Sequence, residues 1–205
     1  DEPGQSAAFA VRRPIIPFFL KEGFKPKKDN TQFYIVLADS GMGKTTFLIN
    51  LYLRYLNQFR DTQYQIKLFP LGFPEIDQKI EAIKENREQT ILLLDAFDED
   101  PKALHHYKAR LDELIRKCLD FREIVITCRT QFFPTEEEEP KETGVLRFGV
   151  DSGERIFRKL YLSPFNDDDI EIYLKKRFGW QRKKKEKARQ IVQHSPNLMV
   201  RPMLL

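Results

Sequence analysis

Gly41-Met42-Gly43-Lys44-Thr45-Thr46 stands directly between an apolar β-type run, Tyr34–Leu37, and an apolar helical pattern that begins at Phe47. Glycines at this spacing let the backbone curl so that successive N–H groups point inward. A helix N-terminus immediately behind them adds partial positive charge. Such a loop suits phosphate. Lys44 can reach the β- and γ-phosphates of a nucleotide, and the Thr45 hydroxyl can ligate Mg²⁺. Ser40, Gly41, Met42, Gly43 and Thr46 complete the cradle. Ala38 occupies the place of the first glycine in the usual G-x-x-x-x-G-K-[ST] pattern. Alanine serves there if it keeps an ordinary φ.

A second motif ends another apolar run, Thr90-Ile-Leu-Leu-Leu-Asp95, followed by Ala96-Phe97-Asp98-Glu99-Asp100. An acid at the end of a buried strand is what a Walker B element needs. Asp95 would hold Mg²⁺ opposite Thr45. Asp98, and after it Glu99, would orient or polarise the attacking water. Asp100 reads instead as an acid at the start of the next helix, where the dipole favours it. A third run, Ile124-Val-Ile-Thr-Cys128, delivers Arg129 beside the same loop. A guanidinium there can sense γ-phosphate charge; the competing reading is an arginine paired with a carboxylate.

The elements that must position these residues alternate. Strand patterns fall at Tyr34–Leu37, Tyr64–Leu71, Thr90–Asp95, Glu123–Cys128 and Ile156–Leu162. Helical patterns fall at Thr46–Arg60, Ile76–Asn86 and Pro101–Asp120. This alternation predicts an α/β layer with a mostly parallel sheet, its ligand outside the C-terminal strand ends. Thr135–Gly144 reads as a solvated acidic loop. Asn166 caps a helix to about Phe178, and a very basic helix follows from about Gln181 to Gln193. Its run Arg182-Lys-Lys-Lys-Glu-Lys187 reads as a solvated face, with Phe178 and Trp180 packed against the sheet domain. His194 reads as a surface or capping histidine.

The chain has 205 residues, 32% charged and 41% hydrophobic, with a net charge of +4. That charge is too mild to argue for nucleic acid by itself. No apolar run approaches the length of a membrane span. Cys118 and Cys128 read as reduced core thiols of a cytoplasmic protein. Both ends, Asp1 and Pro202-Met-Leu-Leu205, read as cuts in a longer protein. The expected divisions are a linker at 1–30, a nucleotide-binding domain at 31–162 and the beginning of a helical subdomain at 163–205.

In their order, these motifs resemble the NACHT family, with a leaning toward its bacterial members. Ala38–Thr46 is similar to that family's P-loop, and Leu94–Glu99 to its Walker B, in which a small residue follows the Mg²⁺ aspartate. Thr127-Cys128-Arg129 is similar to its sensor 1. Leu160–Ile170 resembles the passage into its first helical subdomain. Asn197–Leu205 resembles the segment whose proline, here Pro202, lies near the adenine. The resemblance implies a P-loop NTPase, a parallel β-sheet flanked by helices and followed by the start of a small helical subdomain. It further implies a STAND-type switch in innate immune or anti-phage defence. Such a switch binds ATP or ADP with Mg²⁺, hydrolyses ATP slowly, and self-associates through the nucleotide domain to activate an effector. Membrane is not among the expected partners, nor is nucleic acid. The alternatives are an AAA+-like ATPase acting on nucleic acid and a P-loop kinase. DNA-stimulated turnover marks the first of these, and retained ADP marks the switch.

Overall fold

The computed structural model describes residues 13–25, 32–58, 63–132, 145–150 and 153–194; side chains are described for all of these except 145–150 and 153–156. Pro202 and the acidic loop at 135–144 lie outside the described residues.

Among the described residues six strands form one sheet: β1 (Phe33–Ala38), β2 (Gln65–Pro70), β3 (Thr90–Asp95), β4 (Glu123–Arg129), β5 (Val145–Val150) and β6 (Gly153–Tyr161). Their order is β2-β3-β4-β1-β6-β5. All neighbouring pairs are parallel except the β5–β6 hairpin. The parallel part and its flanking helices are the α/β architecture predicted above. The edge strand β5 was not predicted. Its pattern, Val145-Leu-Arg-Phe-Gly-Val150, is short, and pairing with β6 rather than local propensity makes it a strand.

The continuous apolar runs arise because both sheet faces are covered. On β1, Phe33, Ile35 and Leu37 point to one face, with Leu92, Leu94, Ile124 and Ile126. Helices α3 (Ile76–Glu81) and α4 (Pro101–Cys118) close that side with Ile76, Ile80, Leu111, Leu114 and Ile115. Tyr34 and Val36 point the other way, with Ile91, Leu93 and Val125. Helix α2 (Lys44–Leu56) covers this second face through Phe47, Leu48, Leu51 and Tyr55.

Within the stretch expected as a linker, α1 (Ile15–Phe18) and the single π-type turn after it pack onto the α2 face. Phe19 is fully buried there, its ring 5.0 Å from Tyr34 and 5.9 Å from Phe47. Phe24 meets Tyr55 edge to face at 5.6 Å. Pro14 sits at the N-cap of this short helix, a place proline tolerates. Pro17 falls within the first turn, where a missing N–H forfeits no intrahelical bond, so neither proline prevents the helix.

After β6, the hairpin of α5 (Asp167–Phe178) and α6 (Arg182–His194) begins with a capping box. Asn166 Oδ1 accepts from the Asp169 N–H at 2.8 Å, and Asp169 Oδ2 accepts from the Asn166 N–H at 3.1 Å. The two helices are tied by Arg189, which donates to both oxygens of Glu171 at 2.6 and 2.8 Å. Trp180 departs from expectation. It is not packed on the sheet; it lies in the α5–α6 turn and is 98% exposed. His194 is exposed, with Nδ1 2.6 Å from the Gln190 carbonyl oxygen.

Candidate functional site at the C-terminal ends of β1, β3 and β4

Gly41 and Gly43 adopt left-handed φ values of 78° and 84°. Any side chain there would be strained, so the two glycines are required by backbone geometry. Ala38 is not among the residues with positive φ, and alanine therefore fits the first position without strain. It is buried at the end of β1, in register with Arg129 of β4. The Phe47 N–H closes the first turn of α2 on the Gly43 carbonyl at 2.8 Å. No acid lies in that first turn. The helix start thus carries no acid of its own to offset its positive end.

Lys44 folds back on its own loop. Its Nζ donates to the carbonyl oxygens of Ala38 at 3.0 Å and Asp39 at 3.4 Å. Burial pulls its pKa below the ordinary lysine value, against the opposing pull of Asp98. Arg129, Cys128 and Asp95 are also close enough to act on its charge. The three motifs therefore converge.

The strand register explains why. Asp95 continues the side of β3 that carries Ile91 and Leu93, and Thr127 continues the side of β4 that carries Val125. Both face α2 and its P-loop. Strand β4 lies between β1 and β3, so Thr127 is a neighbour of Asp95. The buried Thr127 hydroxyl donates to Asp95 Oδ1 at 2.6 Å and accepts from the Ala96 N–H at 2.9 Å. Ala96 itself is left-handed, φ 58° and ψ 62°. For an L-residue this costs about 1–2 kcal/mol. The chain turns there against the steric preference of an L-residue.

Asp98 sits in the 3₁₀ turn Phe97–Glu99 and is buried. Arg129 donates to it twice, from the main-chain N–H at 2.9 Å to Oδ1 and from Nε at 2.7 Å to Oδ2. The Arg129 guanidinium also lies 3.6 Å from Glu99, which is largely exposed. Of the two readings of Arg129, the geometry displays the carboxylate pair.

Asp100 is the N-cap of α4, in agreement with the sequence. Its Oδ1 accepts from the Lys102 N–H at 2.8 Å and from the Ala103 N–H at 3.4 Å. Its Oδ2 accepts from Arg110 Nε at 2.7 Å. Arg110, also buried, reaches both oxygens of Asp77 and one of Glu113. This network anchors the acidic turn to α3 and α4. In the sequence Thr127 stands only as part of the segment resembling sensor 1, with no role of its own, and Arg110 has none. A polar residue in register with a strand-end acid was a legible signal for the first; nothing local marked the second.

Oxygen donors from Thr45 and Asp95 suit Mg²⁺, which takes one or two protein ligands and completes its shell with phosphates and water. Among the described residues no group of His, Cys, Asp and Glu forms a separate metal cluster. Cys118 and Cys128 are buried free thiols. Burial pushes Cys118 up to about 12 and Cys128 further in the same direction. Neither is a nucleophile at neutral pH.

Sheet, loop and helix together define an α/β domain of the P-loop type. No family model matches the chain, and no curated protein matches it. Among solved structures it is similar to domain III of the Thermotoga maritima replication initiation protein DnaA. The identity is 14%, the TM-score 0.48, and the match covers 89% of this chain and 72% of that one. It is also similar to Drosophila ORC bound to DNA, at 11% identity and TM-score 0.47, covering 88% and 50%. A single-residue variant of Thermotoga maritima RuvB matches at 16% and 0.41, covering 73% and 44%. In the last two cases the chain spans half or less of the protein it matches. With TM-scores this low, none of these likenesses says what this chain binds. No helix among the described residues is long and apolar enough to cross a membrane.

Proposed function

We propose that this chain is the nucleotide-binding module of a slow, switch-type ATPase of the STAND class, with the NACHT arrangement of motifs. The observation that carries the reading is the convergence of Lys44, Asp95, Asp98 and Arg129 at one end of the sheet, on the face covered by α2. Among the described residues the Lys44 ammonium is hydrogen-bonded to two carbonyl oxygens and to no carboxylate, beside two left-handed glycines and a helix start free of acids. That is the chemistry of a site for a polyanion.

Ser40–Thr46 would hold the phosphates of ATP or ADP. Thr45 and Asp95 would hold Mg²⁺, which when bound neutralises phosphate charge. Thr127 keeps one Asp95 oxygen oriented. Asp98 and Glu99 would orient the water, and Arg129 would meet the terminal phosphate. Pro202 is proposed against the adenine on the family resemblance alone. Arg129 must first leave Asp98, and that exchange of partners supports slow turnover. Self-association through this domain in a larger cytoplasmic protein completes the proposal.

The test is the identity of the nucleotide that copurifies, together with calorimetry on Lys44→Ala. Retained ADP and lost binding in the variant are expected. Undiminished affinity in Lys44→Ala would overturn the assignment.

A further inference from the structure

The tip of the α5–α6 hairpin concentrates charge without pairing it. Lys175, Lys176 and Arg177 lie in the last turn of α5, and Arg182, Lys183 and Lys184 in the first turn of α6. All are exposed, and none has an acidic partner among the described residues. No Asp or Glu occurs from 175 to 185. The acids Asp167, Asp168 and Asp169 occupy the opposite end of α5, eight residues or about 12 Å away along the helix axis. Of the neighbouring cations, Lys185 lies 3.4 Å from Glu171 and faces inward.

Between the two basic turns stands Trp180, the single tryptophan of the chain, 98% exposed. Gly179, at φ 48°, turns the chain so that the indole projects. Local folding accounts for neither feature. A large aromatic ring left wholly in water forgoes its burial energy. Cations in the first turn of α6 oppose the helix dipole. The reading of the basic run as only a solvated face placed Trp180 against the sheet, and it is not there.

We propose that this tip is a docking surface for single-stranded nucleic acid, with Trp180 stacked on an unpaired base and the six cations named above set against the flanking phosphates. An exposed ring within a basic surface is the combination that binds single strands with little sequence preference. A duplex offers no free base face to the ring. A bilayer surface calls for a broad apolar face beside the cations, whereas the neighbours of the indole are Gly179, Gln181 and a half-buried Phe178. The proposal does not depend on the nucleotide reading.

A short oligothymidylate is the probe, and Trp180 fluorescence is a signal with one source. Saturable quenching is expected. Log affinity should fall against log salt with a slope of about −3 to −4 if most of the six cations meet phosphates. By anisotropy of a labelled oligonucleotide, Trp180→Ala should weaken binding about tenfold or more. Lys183→Glu with Lys184→Glu should weaken it further and flatten the salt slope. These positions are exposed, so circular dichroism should be unchanged. Lys44→Ala should bind the oligonucleotide as the parent does, which separates this proposal from the nucleotide assignment. Absence of quenching and of anisotropy change overturns the proposal. Equal affinity for a duplex with no loss in Trp180→Ala overturns it too. A fluorescence blue shift on phosphatidylserine vesicles with no response to oligothymidylate makes the tip a membrane contact instead.

Discussion

Asp98 grips Arg129 at two points, its Oδ1 accepting the main-chain N–H at 2.9 Å and its Oδ2 accepting Nε at 2.7 Å. The acid of the 3₁₀ turn and the last residue of β4 are therefore one unit. The guanidinium cannot serve Asp98 and a terminal phosphate fully at once. Arg129→Ala should reduce affinity for an ATP analogue more than for ADP. It also strips a buried carboxylate of its charged partner, at a cost of about 1–3 kcal/mol. Paired titrations read the difference, and equal losses for the two nucleotides refute a sensor role. Asp98→Asn should keep nucleotide binding and slow hydrolysis.

Thr127 should behave as a positioning residue for Asp95. Thr127→Val leaves both Asp95 Oδ1 and the Ala96 N–H without their partner. Stability should fall by about 1–3 kcal/mol. Mg²⁺-dependent nucleotide affinity should fall while Mg²⁺-independent affinity changes little. Thr127→Ser keeps the hydroxyl and should restore both. Denaturant midpoints and titrations with and without Mg²⁺ check this.

Arg110→Met should be among the most damaging single changes. It removes the arginine partner of Asp100, which is only 2% exposed, and one of the three cations that Asp77 and Glu113 share, the others being Lys102 and Lys117. Breaking a buried charge cluster on one side costs about 3–5 kcal/mol. The acidic turn before α4 loses its anchor as well. The expected reading is a large drop in urea midpoint with the helical content of the folded state retained.

The same cluster sets an acid limit. Burial alone would raise the Asp77 and Glu113 carboxyls, but hydrogen bonds from Arg110 outweigh it, aided by Lys102 and, at Glu113, by Lys117. Glu113 comes down to about 2 and Asp77 lies below the usual carboxylate range. Their folded values are lower than their unfolded ones. The stability they contribute is therefore present above the ordinary carboxylate range, about pH 4 to 5, and is lost as pH falls toward 2. Urea midpoints from neutral pH downward should drop steeply in that window. The drop should be shallower in Arg110→Met.

Phe19→Ala tests whether the segment before β1 belongs to the folded domain. The ring is fully buried among Phe18, Phe24, Tyr34 and Phe47. Its loss should cost about 3–5 kcal/mol by cavity formation. A change near zero would return residues 15–24 to the status of a linker.

Continuous apolar runs ending in polar residues determined the parallel strands and the end of the sheet where chemistry belongs, because strands buried on both faces admit little else. Glycine spacing determined the loop, since two left-handed positions disfavour any residue with a side chain. The acid at 100 was legible as belonging to the start of the next helix, where the dipole favours it; that its side chain caps α4 appears only in the fold. Tertiary structure decided the rest. Placing β4 between β1 and β3 brought Thr127 to Asp95 and Arg129 to Asp98, contacts across more than thirty positions that no local pattern encodes. Packing against Tyr34 and Phe47 made a helix of a proline-rich segment, and pairing with β6 made a strand of Val145–Val150. Trp180 shows the limit most plainly. Sequence marks a large aromatic for burial by the energy of its ring, but whether a surface exists to receive it is settled only when the chain has folded.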